Sequence, residues 1–405
     1  MSVTGYTAVI RQDGPWWIGW IEEISGVNCQ GETREELIAN LREALSEAIE
    51  LNREDAKSAA GESFEEIAEF GQAEEKWFRQ FLELPNGVPS HDTLERVLSM
   101  LDAEEFERHF SRWAQSVRTL FPGEVIAIDG KTIRRSYDRA SGKKPVHIVS
   151  AWAAENELAI AQIKTDDKSN EITAIPQILE SLYLSGCIVT IDAMGCQREI
   201  AHQITEEKGA DYILSLKGNQ PTLQTEVESY FKFALSNEAS QHIRFAETVD
   251  KGHGRIETRK CWVSTDVDWF EDKEKWAHLN SFVRVESTRE IDGDTSVEQR
   301  FYISSLAGVS AEQMLQAIRN HWGVENKLHY RLDVSMGEDG SRRRRGNLAQ
   351  ISAAMRKIAL NLFRLPGRNS RSIPRLKAKC LYSQAFRAGV LLAGKTQQSR
   401  SLMNA

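Results

Sequence analysis

The chain has 405 residues, 41% hydrophobic and 27% charged, with a formal net charge of −8. That length exceeds one ordinary domain of roughly 100–200 residues, so several units are expected. No apolar run approaches the roughly 18 residues of a membrane span, no leader-like start is visible, and five scattered cysteines without a C-x-x-C pair speak against a disulfide framework or structural zinc; a cytoplasmic protein with no membrane partner is expected.

In chain order, Tyr6–Ile10 and Trp16–Trp20 alternate around Asp13-Gly14 and predict a strand–turn–strand. Gly26 and Gly31 punctuate the next loop, and Thr33 with Glu36 is a capping box opening a helix over 34–52, with a stripe at Leu37, Leu41, Leu45 and Ile49. This gives a small α/β module over 1–58, bounded by the polar, small-residue stretch 53–63. Residues 59–120 read as helical, broken at Leu84-Pro-Asn-Gly-Val-Pro-Ser90, with helices at about 90–100 and 103–120.

From residue 121 the pattern changes. Strands are predicted at 125–129, 146–152 and 158–164, a helix at 169–184, a strand at 187–192, a helix at 197–207 and a strand at 212–216. Three strands followed by two α/β units is the order of an RNase H-like fold, here spanning 121–364. A mostly β insertion at 222–309 comes next, with a helix near 223–235 and strands at 256–264, 282–291 and 297–304. Ser310 and Gln313 then cap a long helix reaching to about 330, and another helix covers 347–364. The fold class is therefore α/β and multi-domain. Residues 341–405 contain 15 Lys+Arg and no Asp or Glu, opening with Arg342, Arg343, Arg344 and Arg345, and residues 365–405 read as a basic C-terminal tail suited to a polyanion.

The chemistry centres on carboxylates. Two predicted strands end in Asp129 and Asp192, and in this order the first and fourth strands lie side by side, which brings both acids to one sheet edge. Hard divalent cations take oxygen ligands from one or two such carboxylates plus substrate phosphate. Glu325, in the helix after the insertion, supplies a third acid, with His321 and His329 on its face; Glu338-Asp339 is the alternative source. Gly130-Lys131-Thr132 resembles the end of a phosphate-binding loop, but position 125 is Val where that loop needs Gly. Lys131, Lys217 and Arg255 are candidate phosphate contacts, and Gln197 and Asn219 candidate orienting groups.

From about Ser63 to Leu391 the chain resembles an insertion-sequence transposase of the H-repeat-associated (Rhs-linked) family, within the DDE class. The resemblance is carried by Ala127-Ile-Asp-Gly-Lys-Thr-Ile-Arg-Arg-Ser136, Thr190-Ile-Asp-Ala-Met-Gly-Cys-Gln197, Leu216-Lys-Gly-Asn-Gln-Pro-Thr222, His253-Gly-Arg255, His321-Trp-Gly-Val-Glu-Asn-Lys-Leu-His329 and Leu332-Asp-Val with Glu338-Asp339. It implies an RNase H-like core in which Asp129, Asp192 and Glu325 bind two Mg²⁺ (or Mn²⁺) ions. It also implies DNA partners (element terminal repeats and target), assembly as a homodimer on DNA, and cleavage at element ends before strand transfer. The wider class often places Tyr seven and Arg four residues before the Glu and Lys seven after; here these are Ile318, His321 and Leu332. Residues 5–58 resemble the HicB-like antitoxin fold, which implies a toxin partner; they stand where transposase family members usually carry more sequence before Ser63, so the helical region at 59–120 is expected to be truncated. Two alternatives remain at this point: a metal-dependent nuclease without strand transfer, or a non-enzymatic antitoxin-like protein carrying an inactive transposase remnant.

Overall fold

A computed structural model describes residues 7–21, 28–42, 44–45, 63–137, 142, 144–165, 171–236, 243–252, 255–291, 294–365 and 372–395. The chain divides into two compact units, Met1–His91 and Asp92–Ala405.

In the first unit, β1 (Ala8–Asp13), β2 (Trp16–Ile21) and β3 (Asn28–Gly31) form an antiparallel sheet in that order. Asp13 pairs with Trp16, so the turn is closed by two residues, and Gly14 takes φ +60° there without steric cost. Helix α1, described over 34–42 and 44–45, starts as the capping signal predicts. The Thr33 hydroxyl accepts from Glu36 N at 3.1 Å, while the Glu36 carboxylate reaches back to Glu32 N at 2.8 Å. Ile21, Leu37 and Leu41 form a small core; Ile49, Gly26 and most of the 53–63 boundary lie outside the described residues. Helix α2 (Phe64–Ala73) begins at a full capping box between Ser63 and Glu66, and α3 (Glu75–Phe78) buries Trp77.

The second unit starts with α4 (His91–Met100, its first residue in the preceding unit) and α5 (Ala103–Val117), the latter capped by Asp102. The predicted 59–120 region is thus divided: α4 and α5 belong to the second unit, and Phe110, Ala114 and their neighbours on α5 are buried in its main core. Next come β4 (Val125–Thr132), β5 (His147–Ala153), β6 (Leu158–Thr165), α6 (Glu171–Glu180) and β7 (Ile188–Ile191). After them are α7 (Arg198–His202), running on into a π-helical turn, then β8 (Asp211–Leu216) and α8 (Pro221–Ser236). The elements after α8 are β9 (Ile243–Gly252), β10 (Arg255–Ser264), β11 (Ser281–Ile291), β12 (Asp294–Ser304) and α9 (Ala311–His321).

Nine of these strands form one sheet in the order β6-β5-β4-β7-β8-β12-β11-β10-β9. β4 and β7 are adjacent and parallel, with Ile128 opposite Ile191, as the sequence order requires. Val125–Ile128 are fully buried, as expected of a central strand covered on both faces; each such Ile or Val contributes roughly 1.5–3 kcal/mol. The β region read as an insertion extends the same sheet: β12 pairs antiparallel with β8 over Phe301–Ser304, and β11, β10 and β9 lie successively outward. β9 is absent from the sequence reading because its exposed edge position permits the charged residues of Arg-Phe-Ala-Glu-Thr-Val-Asp-Lys.

The basic end of the chain is also more ordered than a tail. Helices α10 (Leu348–Arg364), α11 (Ile373–Tyr382) and α12 (Gln384–Ala393) bury Leu360, Phe363, Ile373, Leu376 and Val390 in the main core. Charge dominates that stretch of sequence, but its apolar residues recur at helical spacing and are enough to dock it. Residues 366–371 and 396–405 lie outside the described set. No described helix is long and apolar enough to cross a membrane.

Candidate active site

Asp129 and Asp192 arrive together because their strands are neighbours. Asp129 lies one residue beyond Ile128 on β4, and Asp192 one residue beyond Ile191, where β7 ends. Asp192 turns the chain, its carboxylate accepting from Met194 N at 3.1 Å. Behind that turn the Asn219 side chain donates to Ala193 O, and Gln220 donates to Cys196 O at 3.0 Å. Asn219 thereby shapes the loop that presents Asp192, while the Gln197 side chain donates to Met194 O at 3.4 Å.

The third acid comes from an irregular helix. α9 begins with the predicted capping box at Ser310 and Gln313 but ends as an α-helix at His321. The backbone continues π-wound over Val324–His329 and Arg331–Ser335, a form frequent at functional sites. Two glutamates in the β5–β6 turn hold this stretch to the sheet. Glu155 accepts from Asn320 at 2.7 Å and from Val125 N at 2.9 Å, and Glu157, at φ +52°, pairs with Lys327 at 2.7 Å and with Arg364 at 3.3 Å.

Asp129, Asp192 and Glu325 line one pocket of about 260 Å³. Burial and the repulsion of Asp192, with smaller contributions from Glu171 and Glu325, push the Asp129 carboxyl up to about 7, against a Gly130 backbone hydrogen bond that favours its charge. His321 shares the pocket, its Nδ1 3.0 Å from Thr190 Oγ1, and burial lowers it to about 4, so the ring is neutral at pH 7. His329 sits behind, Nδ1 3.4 Å from the Asp129 carboxylate, and burial lowers it to about 3.

The expected phosphate contacts are distributed differently. Lys217, exposed after β8, lines the pocket. Lys131 does not: it is largely buried and held by Asp333, by Glu338 at 2.7 Å and by Asp339 at 3.6 Å, which withdraws it from a phosphate. Glu338 and Asp339, the alternative third acids, make these contacts and do not line the pocket that Glu325 shares with Asp129 and Asp192. Arg255 is outside the pocket, at the hairpin end of β10 beside Glu257, and His253 and Gly254 of its motif lie outside the described residues. In the arginine run, Arg342 and Arg345 are exposed, whereas Arg343 bonds Ser352 at 3.0 Å and Arg344 donates to Arg135 O at 3.2 Å and covers the Tyr137 ring.

Thr190, Arg300, Tyr302 and Trp322 line the pocket and are not among the site residues expected from the sequence, although Thr190 and Trp322 fall within the family motifs. Period-two alternation pairs Thr190 with Asp192 and Arg300 with Tyr302, but only the β12–β8 pairing directs the latter two here.

Residues 120–362 match the family model described as "Transposase DDE domain", and residues 56–114 match "DDE_Tnp_1-associated". The chain belongs to the DDE transposase family. Its place is with the H-repeat-associated members. It is 43% identical over 310 residues to "Putative transposase YncI" of Escherichia coli O157:H7, covering 76% of this chain and 78% of that one. It is 41% identical over 310 residues to "H repeat-associated putative transposase YhhI" of Escherichia coli K12, covering 75% and 81%. A piggyBac transposase in a synaptic complex with hairpin DNA aligns over 87% of this chain and 73% of its own, at TM-score 0.41 and 11% identity, too distant a likeness to bear on function.

The donor chemistry of this DDE transposase pocket suits a hard divalent ion. It offers carboxylate oxygens, and Asp129 and Asp192 repel each other in a way that a cation between them would relieve. Among the described residues no three His, Cys, Asp or Glu side chains are gathered closely enough to enclose an ion alone.

Proposed function

We propose that this protein is a metal-dependent DNA transposase with an RNase H-like catalytic core, which cleaves at insertion-element ends and joins the freed 3′-hydroxyl to target DNA. The observation that carries the reading is the convergence of Asp129, Asp192 and Glu325 on one pocket in a chain of the DDE transposase family. In this reading Asp129 and Asp192 hold Mg²⁺ or Mn²⁺ from adjacent strands, and Glu325 completes the set from the π-wound segment. Bound ions of this kind activate a water or hydroxyl nucleophile and stabilise the leaving oxygen of a phosphodiester. Lys217 neutralises a non-bridging phosphate oxygen at the pocket mouth. Neutral His321 fixes the Thr190 side of the pocket without adding charge, and Asn219 keeps the Asp192 loop in place. Arg342 and Arg345 add non-specific attraction for the DNA backbone.

Labelled element-end DNA incubated with the protein and Mg²⁺ tests this. Joined products are expected; nicks without joining would reduce the reading to a nuclease. Asp192→Asn and Glu325→Gln should each lower the rate by about a thousandfold or more while DNA binding persists. Full activity of either variant refutes the assignment. For residues 1–58, where both matched family models have yet to begin or have barely begun, the order of three strands and a helix supports an antitoxin-like binding module; failure of the full chain to retain a toxin partner in pull-down would remove that part alone.

A further inference from the structure

We infer that Arg300 is a phosphate-gripping residue of the pocket and that Glu298 occupies its guanidinium fork until a DNA phosphate replaces it. This rests on the transposase reading above and adds to it a second anion-binding group besides Lys217.

Position comes first. β12 pairs with β8 only over Phe301–Ser304, so Arg300 is the first residue beyond that ladder, where the strand leaves β8 beside the pocket. Together with Lys217 it supplies the cationic lining of a pocket that otherwise carries three carboxylates. Both cations act on His321, which bonds Thr190 close to Asp192, so positive charge gathers at the Asp192 side of the pocket.

Orientation comes second. The Arg300 guanidinium lies 4.4 Å from the centroid of the Trp322 ring, and Trp322 closes α9 three residues before Glu325. Stacking on an indole face fixes the plane of the guanidinium and leaves its edge for hydrogen bonds. Glu298 takes that edge with two parallel bonds, Nε to Oε1 at 2.9 Å and Nη2 to Oε2 at 3.0 Å. This is the fork-to-fork geometry in which a phosphate binds arginine. Lys217, by contrast, is a point charge on a flexible stem.

Exchange comes third. The Glu298 side chain is 60% exposed and that of Arg300 28% exposed. Glu298 is the solvent-facing partner, so a phosphate that offers the same two-pronged contact with more charge can take its place as the carboxylate turns into water. Glu298 does not line the pocket, and once released it can turn to solvent.

The test uses the full chain and a fluorescein-labelled random-sequence DNA duplex, with binding read by anisotropy across a salt series without divalent metal. Arg300→Ala should weaken binding roughly tenfold at low salt and flatten the log–log salt slope by about 0.9, the loss of one phosphate contact. Arg300→Lys should keep the slope and recover only part of the affinity. Glu298→Gln should bind about threefold tighter at an unchanged thermal midpoint, because the competing carboxylate is gone. If Arg300→Ala lowers the thermal midpoint but leaves the salt slope at its wild-type value, or if Glu298→Gln binds no tighter, the pair is only structural and the inference fails. Wild-type protein that cuts element-end DNA in Mg²⁺ while Arg300→Ala keeps wild-type binding overturns this inference alone. Wild-type protein that binds no duplex overturns the transposase reading with it.

Discussion

Replacing Gly130 by alanine probes how tightly Asp129 is built into its strand. A β-carbon at Gly130 would lie 2.2 Å from Glu171 Oε1 and 2.5 Å from His147 Nε2. Those atoms are themselves hydrogen-bonded at 2.7 Å, both side chains are buried, and His147 Nδ1 is further tied to Thr132 Oγ1 at 2.8 Å. To reach the 3.4 Å of ordinary contact the carboxylate must retreat by about 1.2 Å, which breaks its bond to His147. Overpacking of this kind costs about 1–3 kcal/mol and an orphaned buried hydrogen bond about 1–3 more; since the two overlap, a total of about 2–4 kcal/mol is expected. For a unit of this size that is a fall of about 3–6 °C in thermal midpoint. Calorimetry on Gly130→Ala measures it, and the same substitution in a Glu171→Ala background should cost clearly less, because the main obstacle is gone. Unfolding of Gly130→Ala at the wild-type midpoint, or equal costs in both backgrounds, would refute the reasoning. The strand-displacing strain also falls next to Asp129, so metal-dependent cleavage should drop along with stability.

Burial raises Glu107 to about 7, where it accepts from Gln162 at 2.7 Å in a buried network that includes Lys357. A carboxyl raised above its unfolded value holds its proton longer in the native state, so its contribution to stability declines as pH rises from about 4.5 to 7. Glu107→Gln should therefore gain on the wild type between pH 5 and pH 8 in urea midpoint. Removing the α9 cap with Ser310→Ala should cost about 1 kcal/mol and loosen the segment carrying Glu325, read as a lower urea midpoint with an unchanged slope. Cys187, Cys196 and Cys261 are buried with thiols pushed upward by desolvation, so a disulfide reagent should label them only after unfolding, ahead of which Cys29 and Cys380 react.

Features that repeat at a fixed period or terminate an element are legible in the residues. The apolar runs before Asp129 and Asp192, the Ser310 capping box and the strand–helix order locate the carboxylates and their strands, since β4 and β7 are central and buried on both faces. Edge and surface segments are less legible. β9 tolerates charge at an exposed position, and α11 and α12 stand in a stretch so rich in Lys and Arg that charge hides their buried residues. Lys131 looks like a phosphate contact in the sequence because its partners, Asp333, Glu338 and Asp339, lie some two hundred residues away. Arg300 and Trp322 reach the pocket through the pairing of β12 with β8 and the close of α9, neither of which has a local signature.

The π-wound backbone after Val324 changes how distances along the chain should be counted. In an α-helix, seven residues make nearly two full turns and return a side chain to the same face. Where the Tyr330 N–H bonds back to Glu325 O, each turn takes up more residues, and seven steps stop well short of two turns. Leu332, seven positions past Glu325, accordingly points away from the pocket and is completely buried. A lysine there would be sealed in the core, so a signature defined on an α-helical ruler has no place to land in this chain.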